Sequence, residues 1–524
     1  MPEQTVTGQT LPSVIASPEL ESQKQVLILT IVFHPDTRRI GEIAQFEKLS
    51  GERPKLLGRA LPAFKHPDNT SAAMPLNDPY ISKQALRVRY SNGSVLLHRD
   101  SSSSRAQVGG RELSGETRLS RAQLEVGVPI LLGGRVVLLL RRTPQFKPSS
   151  QRGLCFSGMI GSSAYMGRLR EQIAQLASAK LDILIRGETG TGKELVAEAV
   201  HGASDRASKK MIAVNMAAIP EALGPALLFG SAKGAFTGAD KAAVGYFQQA
   251  EGGTLFLDEI GATPAEVQAQ LLRALQQREI QTVGGAIKTV DVHVISATDA
   301  QLDGQSCNFK AALRHRLAES EIALLPLRQH PEDIGELLWA FLQNSMASLG
   351  QSHVLPQESL RADEIARWAE LFHRFVAYSW PGNIRELSNC AQQVASASEV
   401  SAVIPDIVAE RFSDTSTTVH CDVATVTRAT VPRSKDYSDQ EFHEGLRNAR
   451  YEVLRTARQL GISKQAVYRR ISESPDLCLA SDLSDEQIRA ALRDYPDDLT
   501  ATAMQLRVSR TALRGRLRSL SVSG

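Results

Sequence analysis

The chain has 524 residues, 42 % hydrophobic and 22 % charged, with 60 Lys and Arg against 57 Asp and Glu for a net charge of +3. That length exceeds one hydrophobic core, so two to four domains are expected. The small net charge excludes a chain-wide polyanion partner and confines any nucleic-acid site to a local patch.

Cys155, Cys307, Cys390, Cys421 and Cys478 are scattered, with no C-x-x-C pair and no His at ligand spacing. Reduced thiols in a cytosolic protein fit this pattern; a disulfide framework or a zinc site does not. The opening MPEQTVTGQTLPSV has neither a basic nor an apolar leader region, and the apolar run at 136–140 stops at Arg141 and Arg142. Membrane insertion and export are not expected, and a cytoplasmic location is.

Residues 1–22 are polar and turn-rich and read as a flexible tail. Over 23–145, QVLILTIVF, ALRVRY, SVLLH and RVVLLL are short runs of Val, Leu and Ile separated by HPD, SNG and GG. This predicts a small all-β sandwich. A polar, proline-containing linker over 146–157 follows. Over 158–327, KLDILIRG, KMIAVNM, GTLFLDEI and VDVHVISATD alternate with helical stretches, which predicts an α/β domain with a parallel sheet. A helical stretch covers 328–412, and a linker containing DTSTTV covers 413–440. The all-α region 441–524 holds a repeat: ARQLGISKQAVYRRI from Ala457 and AMQLRVSRTALRGRL from Ala503, offset by 46 (503 − 457). Each copy reads as helix, tight turn, helix, with the turns near Gly461-Ile462 and Arg507-Val508.

GETGTGK (187–193) lies between the strand candidate LDILIR and the helical run ELVAEAV. Glycines here let successive N–H groups turn inward around phosphate oxygens, the helix N-terminus adds its positive dipole end, and Lys193 sets a charge between the terminal phosphates. The candidate ATP-binding residues are Gly187, Glu188, Thr189, Gly190, Thr191, Gly192 and Lys193, followed by Glu194 where a hydroxyl ligand for Mg²⁺ usually stands. In GGTLFLDEI an apolar strand ends in two carboxylates at the carboxyl edge of the sheet. Asp258 would hold Mg²⁺, and Glu259 would orient and polarise the attacking water.

LFGSAKGAFTGAD (228–240) interrupts the α/β rhythm. Its hexamer Gly234, Ala235, Phe236, Thr237, Gly238 and Ala239 resembles the surface loop that marks sigma-54-dependent transcriptional activators, the bacterial enhancer-binding proteins of the AAA+ class. The resemblance runs from about 160 to 391. It implies a loop that moves with nucleotide state and touches sigma-54, with Phe236 as its apolar tip. It also implies that Glu194 is the ordinary residue after the loop lysine. Asn215 in IAVNMAAI corresponds to the asparagine that restrains Glu259, and Thr298 in SATD to a first sensor. WPGNIREL (380–387) corresponds to a lid motif that makes 328–412 the AAA+ helical lid, with Arg385 as second sensor. In FKAALRHRL, Arg316 corresponds to the second of two arginines that reach the neighbouring subunit's γ-phosphate, so a ring, by family expectation a hexamer, is implied. Three positions depart from the family pattern: Asp299 replaces asparagine, Lys310 replaces the first arginine, and Leu227 replaces glutamate.

ARQLGISKQAVYRRI resembles the Fis-type helix-turn-helix that ends many such activators. The first copy offers double-stranded DNA Ser463, Lys464, Gln465, Tyr468, Arg469 and Arg470; the second offers Arg510, Thr511 and Arg514. The second unit reads either as part of a longer DNA reader or as a packing partner. The N-terminal sandwich resembles a forkhead-associated (FHA) domain, a phosphothreonine reader, on Gly58-Arg59 and Ser82; Arg59 and Ser82 would bond the phosphate. Ala85 stands where that family has histidine, and SSSSRAQVGG (101–110) where it has asparagine-glycine, so a scaffold for partner contact is the alternative. Together these features point to an ATPase that binds upstream DNA and remodels sigma-54 RNA polymerase holoenzyme. The alternative is an ATP-independent DNA-binding regulator that uses the nucleotide core for assembly.

Overall fold

The computed structural model describes residues 25–46, 54–67, 72–91, 93–144, 156–179, 181–235, 241–299, 309–357, 360–413, 439–449, 485–495 and 499–509. It also describes 451, 456, 467, 470, 471, 474, 483 and 513. The tail 1–22 and the linker residues 414–438 lie outside them. The chain divides into two compact units, Met1–Cys421 and Asp422–Gly524.

The N-terminal part of the first unit is two antiparallel sheets around one core. The strands of these two sheets are β1 Gln25–Phe33, β2 Ile43–Phe46, β3 Lys55–Leu57, β4 Leu86–Ser91, β5 Ser94–Arg99, β6 Ala106–Val108, β7 Arg111–Glu112, β8 Gly115–Leu119, β9 Val128–Leu132 and β10 Val136–Pro144; Ala63–Phe64 pairs with Met74–Pro75 in a separate short ribbon. One sheet runs β2-β1-β10-β9-β6-β7 and the other β8-β5-β4-β3. Leu27, Leu29 and Ile31 of β1 share a core with Leu138 and Leu140 of β10 and with Val88, Val95 and Leu97 of the facing sheet.

The α/β part is a five-stranded parallel sheet of β11 Ile183–Arg186, β12 Met211–Asn215, β13 Thr254–Asp258, β16 His293–Thr298 and β17 Ser320–Ala323. Its order is β12-β13-β16-β11-β17. β14 Glu279–Gln281 and β15 Ile287–Thr289 form a separate hairpin. The described helices that accompany the sheet include α1 Ala164–Ser178, α2 Lys193–Ala203, α3 Ala265–Gln277 and α4 Ala311–Leu317, with shorter ones at Gly224–Phe229 and Tyr246–Gln249. Both sheet faces are covered: Ile183 and Ile185 enter the cluster with α1 and α2, and Leu184 enters the one with α3. Strands buried on both faces are continuously apolar, which is why ILI reads as an unbroken run. The lid consists of α5 Ile334–Ser348, α6 Ala362–Ala377, α7 Asn383–Ala397 and α8 Asp406–Ser413.

The sandwich is seated directly on this lid. Val32, Phe33, Leu131, Val137 and Leu139 belong to the same core as Leu337, Leu338, Trp368 and Phe372. The Phe33 and Phe372 rings lie 4.8 Å apart. Arg141 Nη1 lies against both carboxylate oxygens of Glu332 (2.7 and 2.6 Å), and its Nη2 donates to Gln329 O (2.8 Å). Period-2 alternation therefore sends Leu138 and Leu140 into the sandwich and Val137 and Leu139 into the lid.

In the second unit, Asp439–Asn448, Asp485–Asp494 and Leu499–Gln505 are helices. The turn expected at Arg507-Val508 is present: Arg507 is left-handed (φ 55°), and Val508 N–H donates to Ala503 O (3.0 Å). This is a Schellman-type stop, sealed by buried Val508 and Ala503. The 46-residue register also holds in burial, with Thr456 matching Thr502 and Val467 matching Leu513, all fully buried.

Candidate nucleotide site and effector loop

The GETGTGK loop joins β11 to α2 at the carboxyl edge of the sheet, between β16 and β17. Gly190 and Gly192 are left-handed (φ 81° and 93°), which glycine adopts without steric cost. A Cβ on Gly190 would lie 2.5 Å from Gly382 O, so the lid reaches the loop only because no side chain intervenes. Lys193 is buried and donates to Gly187 O (3.0 Å); Thr191 Oγ1 donates to Glu188 O (2.8 Å). Glu194 is exposed in the first turn of α2, where a carboxylate suits the helix dipole.

Asp258 ends β13 beside Asn215 of β12, and its Oδ1 accepts Glu259 N–H (3.0 Å). Glu259 is left-handed (φ 53°). Burial raises the Glu259 pKa above its ordinary value, and the neighbouring Asp299 carboxylate raises it further against the lowering effect of Lys193. Asp299 is shifted down, chiefly because Thr189 Oγ1 donates to its Oδ2 (2.8 Å). Asp299 thus sets a second carboxylate against Glu259 and is itself tied to the phosphate loop. Thr298 is buried, and its carbonyl accepts Gly187 N–H (3.2 Å), holding the loop from behind. Asn215 sits next to Asp258, but its Oδ1 caps the following turn at Ala217 N (2.9 Å). Among the described residues its recorded bond is this cap, and none to Glu259.

Carboxylate oxygens at this edge suit Mg²⁺, which takes one or two carboxylates together with phosphate oxygens and water. Among the described residues no group of three or more His, Cys, Asp or Glu side chains could hold a metal alone.

The lid closes one side of the site. Ile384 and Arg385 N–H groups donate to Gly190 O (3.0 and 3.3 Å), and the Arg385 side chain is exposed at the groove beside Glu188 and Thr189. Two further residues, missed in the sequence, complete the contact. Arg328 pairs bidentately with Glu188 (2.8 and 2.5 Å) and holds its carboxyl down to about 2. Asn383, left-handed and fully buried, donates to Glu188 Oε2 and Thr189 O (both 3.1 Å) and accepts Leu327 N–H (2.9 Å). The signal for Asn383 was its place in WPGN; nothing in the local sequence marked Arg328. Arg316 lies on α4, where it pairs with Glu319 and donates to Leu275 O (3.0 Å). Lys310 begins α4, its N–H donating to Gln268 Oε1 (2.8 Å).

The segment that carries Gly234 and Ala235 has a pinned base. Ser231 and Ala243 exchange backbone hydrogen bonds (3.0 and 2.9 Å), so the chain leaves and returns at one point. Gly230 and Gly245 make this crossing possible, since a Cβ on Gly245 would lie 2.3 Å from Gly230 N. Stacked Phe229 and Phe247 (5.5 Å) anchor it in the core. Gly234 is left-handed (φ 79°), and Ala235 packs near Gly284 of the β14–β15 hairpin. Phe236, Thr237, Gly238 and Ala239 lie outside the described residues.

In the sandwich, Arg59 and Ser82 are brought together: Arg59 N–H donates to Ser82 O (3.0 Å). A Cβ on Gly58 would sit 2.5 Å from Lys83 O, which explains the glycine. Ser104 Oγ donates to Ser82 Oγ (2.8 Å), and Ser104 N–H donates to the same oxygen (2.9 Å), so Ser104 fixes the Ser82 side chain. A buried Asp78–Arg135 pair (3.0 Å), with Arg135 over the Tyr80 ring, supports this loop and was missed in the sequence. Of the DNA-contact candidates, Arg470 is described, with its guanidinium over the Phe442 ring (5.2 Å). Ser463, Lys464, Gln465, Tyr468, Arg469, Arg510, Thr511 and Arg514 lie outside the described residues. Among the described residues no helix is long and apolar enough to cross a membrane.

Residues 159–323 match the family model of the sigma-54 interaction domain, and residues 328–420 match that of the AAA+ ATPase lid domain. The Nif-specific regulatory protein of Klebsiella oxytoca is 36 % identical over 326 residues, covering 62 % of this chain and 60 % of that protein. The regulatory protein LuxO of Vibrio cholerae is 42 % identical over 240 residues, covering 45 % and 43 %. A crystal structure of NtrX from Brucella abortus with ADP aligns at 28 % identity and a TM-score of 0.42, covering 60 % of this chain and 69 % of that one. The chain thus spans about three-fifths or less of the length of these curated relatives. Its centre is a AAA+ ATPase domain of the sigma-54 interaction type with its lid.

Proposed function

We propose that this chain, as a carrier of the sigma-54 interaction domain, is a transcriptional activator that couples ATP hydrolysis to remodelling of the sigma-54 RNA polymerase closed complex. One observation carries the reading: a loop bearing GAFTGA stands on a pinned base in the same domain as a complete phosphate loop and an Asp258-Glu259 pair. The N–H groups of the phosphate loop and Lys193 bind and orient the phosphates. Asp258 would hold Mg²⁺, which supplies charge neutralisation between phosphate oxygens. Glu259 orients the attacking water and accepts its proton; Arg316 of a neighbouring subunit stabilises charge on the γ-phosphate, so the active species is a ring, by expectation a hexamer. Phe236 and Thr237 then press on sigma-54.

The C-terminal helices would supply double-stranded DNA binding at an upstream site, and the FHA-like sandwich would receive a phosphothreonine protein at Arg59 and Ser82. A second reading, an ATP-independent DNA-binding regulator, is favoured by Asp299 and Lys310, which both alter the hydrolytic machinery. The test is ATP-dependent open-complex formation by sigma-54 holoenzyme with the full chain and its Lys193→Ala and Thr237→Ala variants. Opening lost in both variants supports the activator. ATP turnover without opening points to an inhibited ring or another client, and no turnover favours the second reading.

A further inference from the structure

A buried charge cluster lies at the opposite end of β11 from the phosphate loop. Asp182 precedes the strand, and its side chain is fully buried. Its Oδ1 accepts Val294 N–H from β16 (3.1 Å); its Oδ2 accepts Arg278 Nη2 (2.9 Å) and stands 3.8 Å from Arg316 Nη2. Arg278 ends α3 in the left-handed region (φ 54°) and donates to Val292 O (3.0 Å). Arg316 Nη2 donates to Leu275 O in the last turn of α3 (3.0 Å), while its Nε is buried with no partner among the described residues. Two guanidinium groups therefore share one desolvated carboxylate at a helix C-terminus, the end whose free carbonyls favour cations.

We infer that Asp182 and Arg278 are positioning residues that mount Arg316 for action on the neighbouring subunit's ATP. This rests on the reading of Arg316 as trans-acting, and adds what holds it in place. A guanidinium on a long side chain stabilises a transition state only where its fork is already placed, and a misplacement near 1 Å can cost about 10²-fold. Lys310 replaces the other arginine in this chain, so the placement of Arg316 carries more of the burden. Asp182 suits the task because its buried charge faces both guanidinium groups from the α3 side while Val294 N–H fixes its direction; Glu319 pairs with the Nη1 end of Arg316.

The experiment measures steady-state ATP turnover of the full chain carrying Asp182→Asn, alone and mixed with Glu259→Gln chains. Asp182→Asn keeps shape and an acceptor for Val294. The expected result is a kcat lowered on the order of 10-fold or more with KM for ATP nearly unchanged, because the subunit's own phosphate loop is untouched. Mixing with Glu259→Gln chains restores turnover, since in a random equal mixture about one interface in four joins an intact site to an intact arginine mount. Arg316→Ala mixed with Glu259→Gln is the positive control, and Lys193→Ala mixed with Glu259→Gln, both impaired in the same site, recovers nothing. If Asp182→Asn fails to fold, Arg278→Asn, at a 37 % exposed side chain, takes its place with the same expectation. A wild-type kcat, or complementation by Arg316→Ala but not by the folded mount variant, overturns the inference and leaves the trans arginine standing. Failure of Arg316→Ala itself to complement overturns the trans reading and the inference with it.

Discussion

The seat of the sandwich on the lid can be tested by one methyl group. Gly335 is the second residue of α5, and a Cβ built there lies 2.6 Å from Val32 O and 3.0 Å from Val32 Cα, where ordinary contact begins near 3.4 Å. Gly335→Ala therefore forces α5 and β1 apart by about 0.8 Å, and a gap of that size forfeits roughly a quarter to a half of each dispersion contact across it. Overpacking of this kind costs about 1–3 kcal/mol. Against it stands the helix-propensity gain of alanine over glycine, at most about 1 kcal/mol and less in a first turn. The net expectation is a loss of about 1–2 kcal/mol. Urea unfolding followed by tryptophan fluorescence is the assay, because the chain's three tryptophans, Trp339, Trp368 and Trp380, all lie in the lid. Gly202→Ala in α2, where a Cβ meets nothing within 4 Å, is the reference and should be neutral or slightly stabilising. If Gly335→Ala matches that reference, the sandwich is not seated on α5 as described.

Further outcomes follow from the nucleotide site and from the sandwich. Asp299→Asn removes the charge that raises Glu259, so the acid limb of the ATP turnover profile should move to lower pH; an unmoved limb would mean that Asp299 does not act on Glu259. The Glu188 carboxyl is depressed to about 2 by Arg328, so this contact is fully present above the ordinary value near 4.5 and fades as pH falls toward 2. Both side chains are 43 % exposed, so Arg328→Ala should cost stability no more than about 1 kcal/mol. The same change should speed amide hydrogen exchange at Ile384 and Arg385, and unchanged exchange there would contradict the described lid contact. Gly58→Ala drives a Cβ into Lys83 O and should abolish any preference for a phosphorylated over a plain threonine peptide, read by titration, while leaving ATP turnover intact.

Much of this molecule is legible locally. The GETGTGK loop, the strand ending in Asp258-Glu259 and the Arg507 turn each carry their conformational reason within a few residues. The two sheets of the N-terminal domain were legible from runs of β-branched and aliphatic residues between turn signals. What escaped was long-range. Arg328 meets Glu188 140 residues away, and Asp78 meets Arg135 57 residues away; neither pair has a spacing that sequence periodicity can register. The seat on the lid did leave a trace. VVLLL at 136–140 has no polar position, whereas a strand of a sandwich with one solvated face should alternate. Its unbroken apolar character meant a second buried face, and α5 and α6 supply it.

That second face bears on how a signal at the sandwich could reach the nucleotide. Residues 328–336 touch three parts of the first unit at once: Glu332 holds Arg141 of the sandwich, Asp333 and Glu336 hold Ser163 and Ser162 at the start of α1, and Arg328 holds Glu188 of the phosphate loop. Packed elements of this kind shift between discrete arrangements, because close-packed interiors do not deform continuously. If occupancy at Arg59 and Ser82 biases the lid, thermodynamic linkage requires nucleotide to bias peptide binding by the same factor, commonly about 5–150-fold. A phosphothreonine peptide titrated onto the full chain with and without ATP, using Glu259→Gln to block turnover, reads that factor directly. Unequal affinities would establish coupling through the lid. Equal affinities would make the sandwich a tether, and the Arg141–Glu332 pair a structural bolt with no part in switching.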